Sequence, residues 1–412
     1  MRKRQLDIAY VRKIVDECDD CLRPVKDAAI LPADTYVDEE FWEFERRAIF
    51  EREWLAVGHV SEVPNPGDYL PIKVNGEPML ITRASDNQVR VISSICQHRG
   101  HPLIGGLAES PTPGKCLHSQ RLVCPYHNWV YSLEGRLVGA PSMDQTTPVP
   151  EMRGIPIRLP EYRTEIFHGL IFVTMNPDAP HLAPSLAKLD KELEGYNLEN
   201  LVLGHTFPQT GQRWNWKLHH ENAMEPYHTD YVHKGYHNAV PSHLTKFRED
   251  FEIGDNQIMR TTGFALDNAD LFEQGGKRRL PDLEGLSGEQ RGRVLFVALM
   301  PSIVMVLQPS FLTMTFIHPT SAKTVDLRRI TLYSKAASEM PDFDRVKMEQ
   351  FEQLKTIVIQ DQITQIALQE AYESRFTPRG KLSYLETSIT QLNAWVIDKY
   401  RKGLQNGAGT AA

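Results

Sequence analysis

Long apolar runs, basic stretches, a nucleotide-binding glycine loop and a cysteine framework are all missing from this 412-residue chain, and each absence removes a class of function. The longest apolar tract, Val294 to Leu307, is broken by Pro301-Ser302 and is shorter than the ~20 residues of a bilayer span. It predicts two core strands, and no membrane is expected as a partner. The start, Met1-Arg2-Lys3-Arg4, is basic, but the mixed Gln5-Leu6-Asp7-Ile8-Ala9-Tyr10 follows it in place of a secretory apolar segment, so no export is expected. A formal charge of -7 without an extended Lys/Arg run argues against nucleic acid. No Gly-x-Gly-x-x-Gly follows a strand pattern, so any reducing equivalents must come from a separate protein. Five cysteines, an odd number in so long a chain, make no disulfide framework and fit a reducing, cytoplasmic setting.

What is present is ordinary in bulk: 41% hydrophobic and 24% charged residues suit a globular chain with core enough for two or three domains. Residues 1–35 are charged and carry Cys18-x-x-Cys21 without the second pair of a zinc site, so these thiols read as incidental. Phe41, Phe44, Ala48 and Ile49 recur at helical spacing within Val37 to Trp54 and predict an amphipathic helix. Short segments such as Tyr69-Leu70-Pro71-Ile72, Met79-Leu80-Ile81-Thr82 and Val89-Arg90-Val91-Ile92 then alternate with turn residues, the texture of a small all-β domain. Leu170 to Met175 reads as the strand that begins a second domain. Helical stretches at Ser185 to Tyr196 and Trp216 to Val232, strands between 294 and 333, and a long helix over Asp342 to Phe376 make that second domain α+β. The expected division is an N-terminal segment and helix at 1–52, a β domain at 53–165, the α+β domain at 166–405 and a frayed tail at 406–412.

The stretch Glu221 to His233, E-N-A-M-E-P-Y-H-T-D-Y-V-H, carries chemistry. On a helix, Glu225 and His228 would share a face at i and i+3. His228 and His233 would lie roughly 140° apart, so converging on one metal requires a break, and the helix is expected to end before His233. Imidazoles suit iron, copper, nickel or zinc, and two histidines with a distant carboxylate form the facial triad of non-haem ferrous oxygenases. A surface helix carrying histidines and a hydrolytic zinc site stand beside that reading. His219, His220 and His237 crowd the same region, and His219 and His220 read as ordinary helix residues.

A second metal signature lies in the β domain, where Cys96-Gln97-His98-Arg99-Gly100 and Cys124-Pro125-Tyr126-His127-Asn128-Trp129 each offer one thiolate and one imidazole. Rieske [2Fe-2S] centres bind one iron through two cysteines and the other through two histidines. Glycine and proline beside the ligands permit close backbone approach to cluster sulfurs. Cys116-Leu117-His118 is a competing C-x-H, but only seven residues separate Cys116 from Cys124, little chain for two loops on one cluster. A zinc-binding Cys2His2 module is the competing account, and it leaves the Glu225–His233 stretch unexplained.

With both signatures in hand the chain resembles the catalytic α subunit of a Rieske non-haem iron oxygenase, from about Phe41 to Tyr400. The family pattern C-x-H-R-G and C-x-x-H-x-W falls on Cys96, His98, Cys124, His127 and Trp129. N-x-x-E/D-x-Y-H-x4-H falls on Asn222, Glu225, Tyr227, His228 and His233. The late D-x7-Q falls on Asp361 and Gln369. The resemblance implies a small all-β Rieske [2Fe-2S] domain plus a helix-grip antiparallel-sheet catalytic domain, an α+β fold. It also implies one Rieske cluster on Cys96, His98, Cys124 and His127, and one mononuclear Fe(II) on His228, His233 and Asp361, per subunit. Asp361 follows Leu354 by seven residues and Val358 by three and precedes Leu368 by seven, on the apolar stripe of its helix; Glu370, seven after Ile363 and four after Ile366, is the competing carboxylate.

Two departures from the family pattern stand out: a long connection between the Rieske half-motifs, with the insert Pro111 to His118, and Glu at 225 where most of the family has Asp. The latter resembles the branch acting on quaternary amines such as carnitine and betaine. By family logic Glu225, with Asn222 and Tyr227 around it, serves catalysis and not ligation, bridging His127 of one subunit and His228 of its neighbour. The implied activity is O2-dependent hydroxylation of a small organic substrate, oxidative N- or O-demethylation included, by a homotrimer fed by a separate NAD(P)H-dependent reductase, with or without a ferredoxin. Aromatic-ring cis-dihydroxylation and a Rieske electron carrier without catalytic iron are the alternatives.

Overall fold

Turn residues cut the stretch after Trp54 into short strands, as their spacing predicts. In chain order these are β1 (Leu55–His59), β2 (Asp68–Val74), β3 (Glu77–Arg83), β4 (Val89–Ser93), β5 (Leu117–His118), β6 (Leu122–Val123), β7 (Val130–Tyr131), β8 (Leu137–Gly139), β9 (Glu151–Met152), β10 (Ile155–Pro156), β11 (Arg163–Phe167) and β12 (Leu170–Thr174). The computed structural model describes residues 5–103, 117–143, 151–152, 155–233, 237–273 and 276–406. Met1–Arg4, most of the Pro111 to His118 insert including Cys116, and the tail from Gly407 lie outside them, as does the His237 side chain. The chain divides into Trp54–Ala179 and a second unit made of Met1–Glu53 with Pro180–Ala412.

In the smaller unit the sheets run β4-β3-β2-β5, β6-β7-β8 and β1-β12-β11, with the hairpin β9–β10 apart. Asn75 and Gly76, both at positive φ, form the two-residue connection of β2 to β3, the turn chemistry that matches strand twist. The unit ends at Ala179, beyond the expected boundary at 165. The reason is pairing: β12 is hydrogen-bonded to both β1 and β11 and cannot start another domain. The core gathers Leu80, Ile92, Leu122, Tyr131, Leu133 and Leu159 around Cys96, Cys124 and Trp129.

The larger unit is helices on one antiparallel sheet. Its N-terminal part contributes α1 (Ile8–Asp16), α2 (Asp34–Val37) and α3 (Glu39–Glu45), the last continuing as a π-helical turn to Phe50. Phe41, Phe44, Ala48 and Ile49 are buried as their spacing requires. The remaining helices are α4 (Ala187–Leu193), α5 (Trp216–Met224), α6 (Thr229–Val232), α7 (Gly288–Arg291), α8 (Lys335–Ser338), α9 (Phe343–Ala371) and α10 (Thr387–Gln405). The strands are β13 (Val202–Gln212), β14 (Thr245–Phe247), β15 (Gln257–Gly263), β16 (Arg293–Leu299), β17 (Ile303–Leu307), β18 (Phe311–Ser321) and β19 (Thr324–Tyr333), in the order β13-β19-β18-β17-β16-β15-β14. The fold is α+β.

One buried polar knot fixes α5, the helix that leads into the site. Glu45, 0% exposed, accepts hydrogen bonds from Trp216 Nε1 at 2.7 Å, from Lys217 Nζ at 2.8 Å and from the Tyr400 hydroxyl. Lys217 also donates to the Thr35 carbonyl at 2.7 Å. A buried charge survives only when paired and hydrogen-bonded, so this set ties α3, α5 and α10 into one arrangement. Cys18 and Cys21 are core thiols, pushed up to about 12 and about 11 by burial. Among the described residues no helix is long and apolar enough to cross a membrane.

Candidate functional site

The motif Glu221 to His233 is not one helix. Proline disfavours the helical conformation in the residue before it, and Pro226 leaves Glu225 extended, at φ -97° and ψ 132°, so α5 stops at Met224. A single turn, α6, then carries His228 at its start and His233 just past its end. The break that two convergent histidines require therefore lies both before His228 and at His233. Glu225 meets His228 differently from a shared helix face: its carboxylate folds back, accepting the His228 backbone N–H at 3.1 Å and the Nδ1–H of the same residue.

That contact fixes the tautomer. A carboxylate only accepts, so the His228 proton sits on Nδ1 and the Nε2 lone pair points inward. His233 is turned in the same sense, with Nδ1 2.8 Å from Gln360 Oε1. The two Nε2 atoms are 3.2 Å apart, and Asp361 Oδ1 lies 3.0 Å from His233 Nε2 and 3.5 Å from His228 Nε2. Three electron-pair donors thus converge with no proton between them except by protonating a ligand, which is the donor set a cation fits. All three ligand atoms lie within 4.8 Å of one another. The electrostatics agree: burial would lower His228, yet its bonds to Asp361 and Glu225 raise it to about 9. Burial would raise Asp361, yet His228 and His233 hold it well below the usual carboxylate range. The site draws positive charge.

Asn222, on α5, donates from Nδ2 to Asp361 Oδ1 at 3.3 Å and accepts from Gln365 Nε2 at 3.1 Å, which locks the carboxylate in place. Gln369 lies further along α9, accepting the Asn215 N–H at 2.7 Å and donating to the Tyr36 carbonyl. Glu370 is exposed and outside the cluster. Tyr227 is 47% exposed and lines no part of the cavity, because it lies on the outer side of the bend at Pro226, with its ring edge-on to Tyr231. His219 does line the cavity and lies parallel to the Trp214 ring; burial drives it down to about 3, so it is a neutral imidazole. His220 donates from Nε2 to the Pro301 carbonyl at 2.9 Å and faces away.

The cluster opens on a cavity of about 100 Å³ whose floor follows from strand register. Directly paired residues share a sheet face. One row runs Arg260, Phe296, Val306, Thr313 across β15 to β18, and the next runs Val304, Thr315, Arg329 across β17 to β19. Leu354, Ile357 and Val358 of α9 cover them beside Asp361. Gln360, Gln365, Arg260 and Arg329 had no signal in the sequence, since no local motif surrounds them.

In the smaller unit the two Cys–His loops follow β4 and β6. Gly100 and Asn128, both at positive φ, turn each loop tightly, with Gly100 N–H donating to the Cys96 carbonyl and Asn128 N–H to that of Cys124. The thiols are buried, and burial pushes Cys96 up. His98 lies parallel to Trp129 at 4.7 Å and 4.6 Å from the His127 ring, and its Nδ1 is buried without a partner among the described residues. Tyr131 Oη stands 3.3 Å from Cys96 Sγ and accepts the Gln97 N–H at 3.0 Å. Two thiols and two imidazoles on facing loops, one nitrogen orphaned, suit a cluster that spans two irons.

Residues 196–402 match the family described as ring hydroxylating alpha subunit (catalytic domain), and residues 53–162 match the Rieske [2Fe-2S] domain. Among relatives, the carnitine monooxygenase oxygenase subunit of Escherichia coli (strain K12) is 31% identical over 224 residues, 53% of this chain and 56% of that one. The glycine betaine monooxygenase oxygenase subunit of Pseudomonas aeruginosa (strain UCBPP-PA14) is 32% identical over 221 residues, 52% of this chain and 47% of that one. The chain thus spans about half the length of these relatives. A quaternary ammonium Rieske monooxygenase superposes with a TM-score of 0.74 at 22% identity, over 93% of this chain and 98% of the other. Naphthalene 1,2-dioxygenase from Rhodococcus sp. gives 0.74 at 19% identity, over 95% and 98%, so both share the fold. With a [2Fe-2S] Rieske domain ahead of a catalytic domain of this kind, the chain belongs to the ring-hydroxylating oxygenase α-subunit family.

Proposed function

We propose that this chain is the terminal oxygenase component of a multicomponent Rieske non-haem iron oxygenase, one that hydroxylates a small organic substrate with O2. The observation that carries the reading is the convergence of two imidazole lone pairs and one carboxylate at the wall of a half-open, mostly apolar cavity. His228, His233 and Asp361 would hold the iron, and Cys96, Cys124, His98 and His127 the cluster. When bound, these groups supply dioxygen activation and one-electron delivery, respectively. Asn222 steadies the Asp361 carboxylate, and Gln360 and Glu225 hold the Nδ1 protons that keep both imidazoles pointed inward. The apolar walls exclude water from the reacting carbon.

Electrons come from a separate NAD(P)H-dependent reductase. In a homotrimer, Glu225 would link His228 to His127 of a neighbouring copy. Tyr227, Tyr231, Ile359 and Ile363 are large apolar side chains left 47 to 69% exposed, surface of the kind that association covers. The small cavity favours monooxygenation, oxidative demethylation of an amine included, over dihydroxylation of a fused aromatic ring, and the amine-oxidising relatives agree with that preference. A carrier would need no such cavity.

The test is anaerobic purification with iron and sulfide available. About three irons per chain and a Rieske-type spectrum on reduction are expected, with O2 uptake that needs a reductase. About two irons would mean a carrier, and zinc without acid-labile sulfide a hydrolase; either result overturns the reading.

A further inference from the structure

Two guanidinium groups face the cavity floor, and they are not alike. Arg260 is 3% exposed and spends every nitrogen on the protein: Nε donates to the Met224 carbonyl at 2.7 Å, Nη2 to that of Ala223 and Nη1 to Thr262 Oγ1. It sits 3.6 Å above the Phe296 ring and caps the carboxyl end of α5, where a cation is favoured. That is a positioning role.

Arg329, 8% exposed, stands on β19 at the other side of the floor, with three strands between it and Arg260. Nε donates to Thr315 Oγ1 at 3.0 Å and Nη1 to Gln209 Oε1 at 3.2 Å, while Nη2 has no partner among the described residues. Among the described residues no carboxylate is paired with it. Were it placed to neutralise Asp361, it would bond that carboxylate; instead His228, His233 and Asn222 occupy Asp361. Burial of a cation with no carboxylate bonded to it is costly, and burial lowers Arg329 to about 10 although the charge of Asp361 opposes the fall through space. An anion entering the cavity would relieve that cost and take up the free donor edge in a charge-assisted bond.

Resting on the oxygenase reading, we propose that Arg329 binds the carboxylate of the substrate, which is a small carboxylic acid with a short apolar body. Size limits the body, since about 100 Å³ is less than the ~150 Å³ that admits benzene. A permanent cation gains little here. Cages for quaternary ammonium need several open aromatic faces, and of the two phenylalanines that line the cavity, Phe272 and Phe296, the latter has its face covered by Arg260. A betaine would be held by its carboxylate.

The test is calorimetric titration of the anaerobic holoprotein with acid and amide pairs of graded size: acetate, 2-methylpropanoate, 3,3-dimethylbutanoate and benzoate against their amides, with choline as the cation. At least one acid should bind ~10-fold or more tighter than its amide, the worth of one charge-assisted bond. Arg329→Gln should abolish the difference while leaving the amide's Kd unchanged, which shows the cavity intact, and Arg329→Lys should restore part of it. An acid that merely ligated the iron would keep its advantage in Arg329→Gln, and that outcome overturns the proposal. So does the absence of any acid preference, or choline binding more tightly than every acid. Iron content and reductase-dependent O2 uptake are read in parallel, so a protein without catalytic iron would defeat the oxygenase reading while the acid-to-amide ratio still judges Arg329.

Discussion

His233 Nδ1 and Gln360 Oε1 stand 2.8 Å apart, so the residue that orients one imidazole is the immediate neighbour of Asp361 on α9. Outer contacts of this kind set ring orientation and ligand basicity, and their loss costs ~10–100-fold in metal affinity. Gln360→Ala should weaken iron binding by that factor and leave the cluster spectrum unchanged. A chelator competition titration measures it, and an unaltered iron affinity would remove Gln360 from the site.

Glu225 contacts the other imidazole from the far side, through both the backbone N–H and Nδ1 of His228. Glu225→Gln keeps the shape of the turn, so the protein should retain iron and cluster while turnover falls by at least ~100-fold. Glu225→Ala should do the same less cleanly. Rapid-quench single-turnover experiments follow cluster oxidation and product together. Product formation within a factor of about two of the wild-type rate would assign Glu225 to the local fold alone.

Tyr131 is the corresponding lever in the Rieske domain. Its hydroxyl, 3.3 Å from Cys96 Sγ and fully buried, stabilises added negative charge on the cluster side. Tyr131→Phe should lower the reduction potential by about 40 mV, the equivalent of ~1 kcal/mol for one electron. Redox titration of the reduced spectrum reads the shift directly; a potential that stays put or rises contradicts the assignment.

The ligand-type residues were legible because their chemistry is local: Cys and His two or three residues apart, and Glu225 to His233 within one turn and a bend. The supporting residues were not. Arg260, Thr315 and Arg329 come to one face of the sheet through strand register, which no local pattern records. β13 escaped notice because Gly204, Pro208 and Gly211 read as punctuation, and the structure puts it at a sheet edge, where proline is tolerated. α10 was likewise not singled out. The apolar stripe expected through Asp361 holds only on its N-terminal side. Leu354 and Val358 are buried, but Leu368 is 43% exposed and the buried face of α9 turns polar at Gln365 and Gln369. A helix that supports a polar site breaks the apolar periodicity there, so periodicity alone could not have located it.

Acid should destabilise this protein through two buried histidines outside the His228, His233 and Asp361 cluster. His220 and His318, 1% and 8% exposed, are driven by burial to about 4 and about 3, with Arg328 also opposing a charge on His318. A base whose folded pKa is depressed binds its proton in the unfolded chain first. Its stabilising contribution is therefore complete above ~6.5 and is lost as the pH falls toward the folded value. From pH 7 to pH 5 each imidazole should cost ~2 kcal/mol, because ~1.5 pH units lie below the unfolded pKa at ~1.36 kcal/mol per unit. Urea unfolding at pH 7, 6 and 5 gives the slope. His318→Gln has no proton to gain, so its stability should fall by ~2 kcal/mol less than that of the wild type over the same interval. Parallel wild-type and variant slopes would mean that His318 is already charged, or already solvated, in the folded protein.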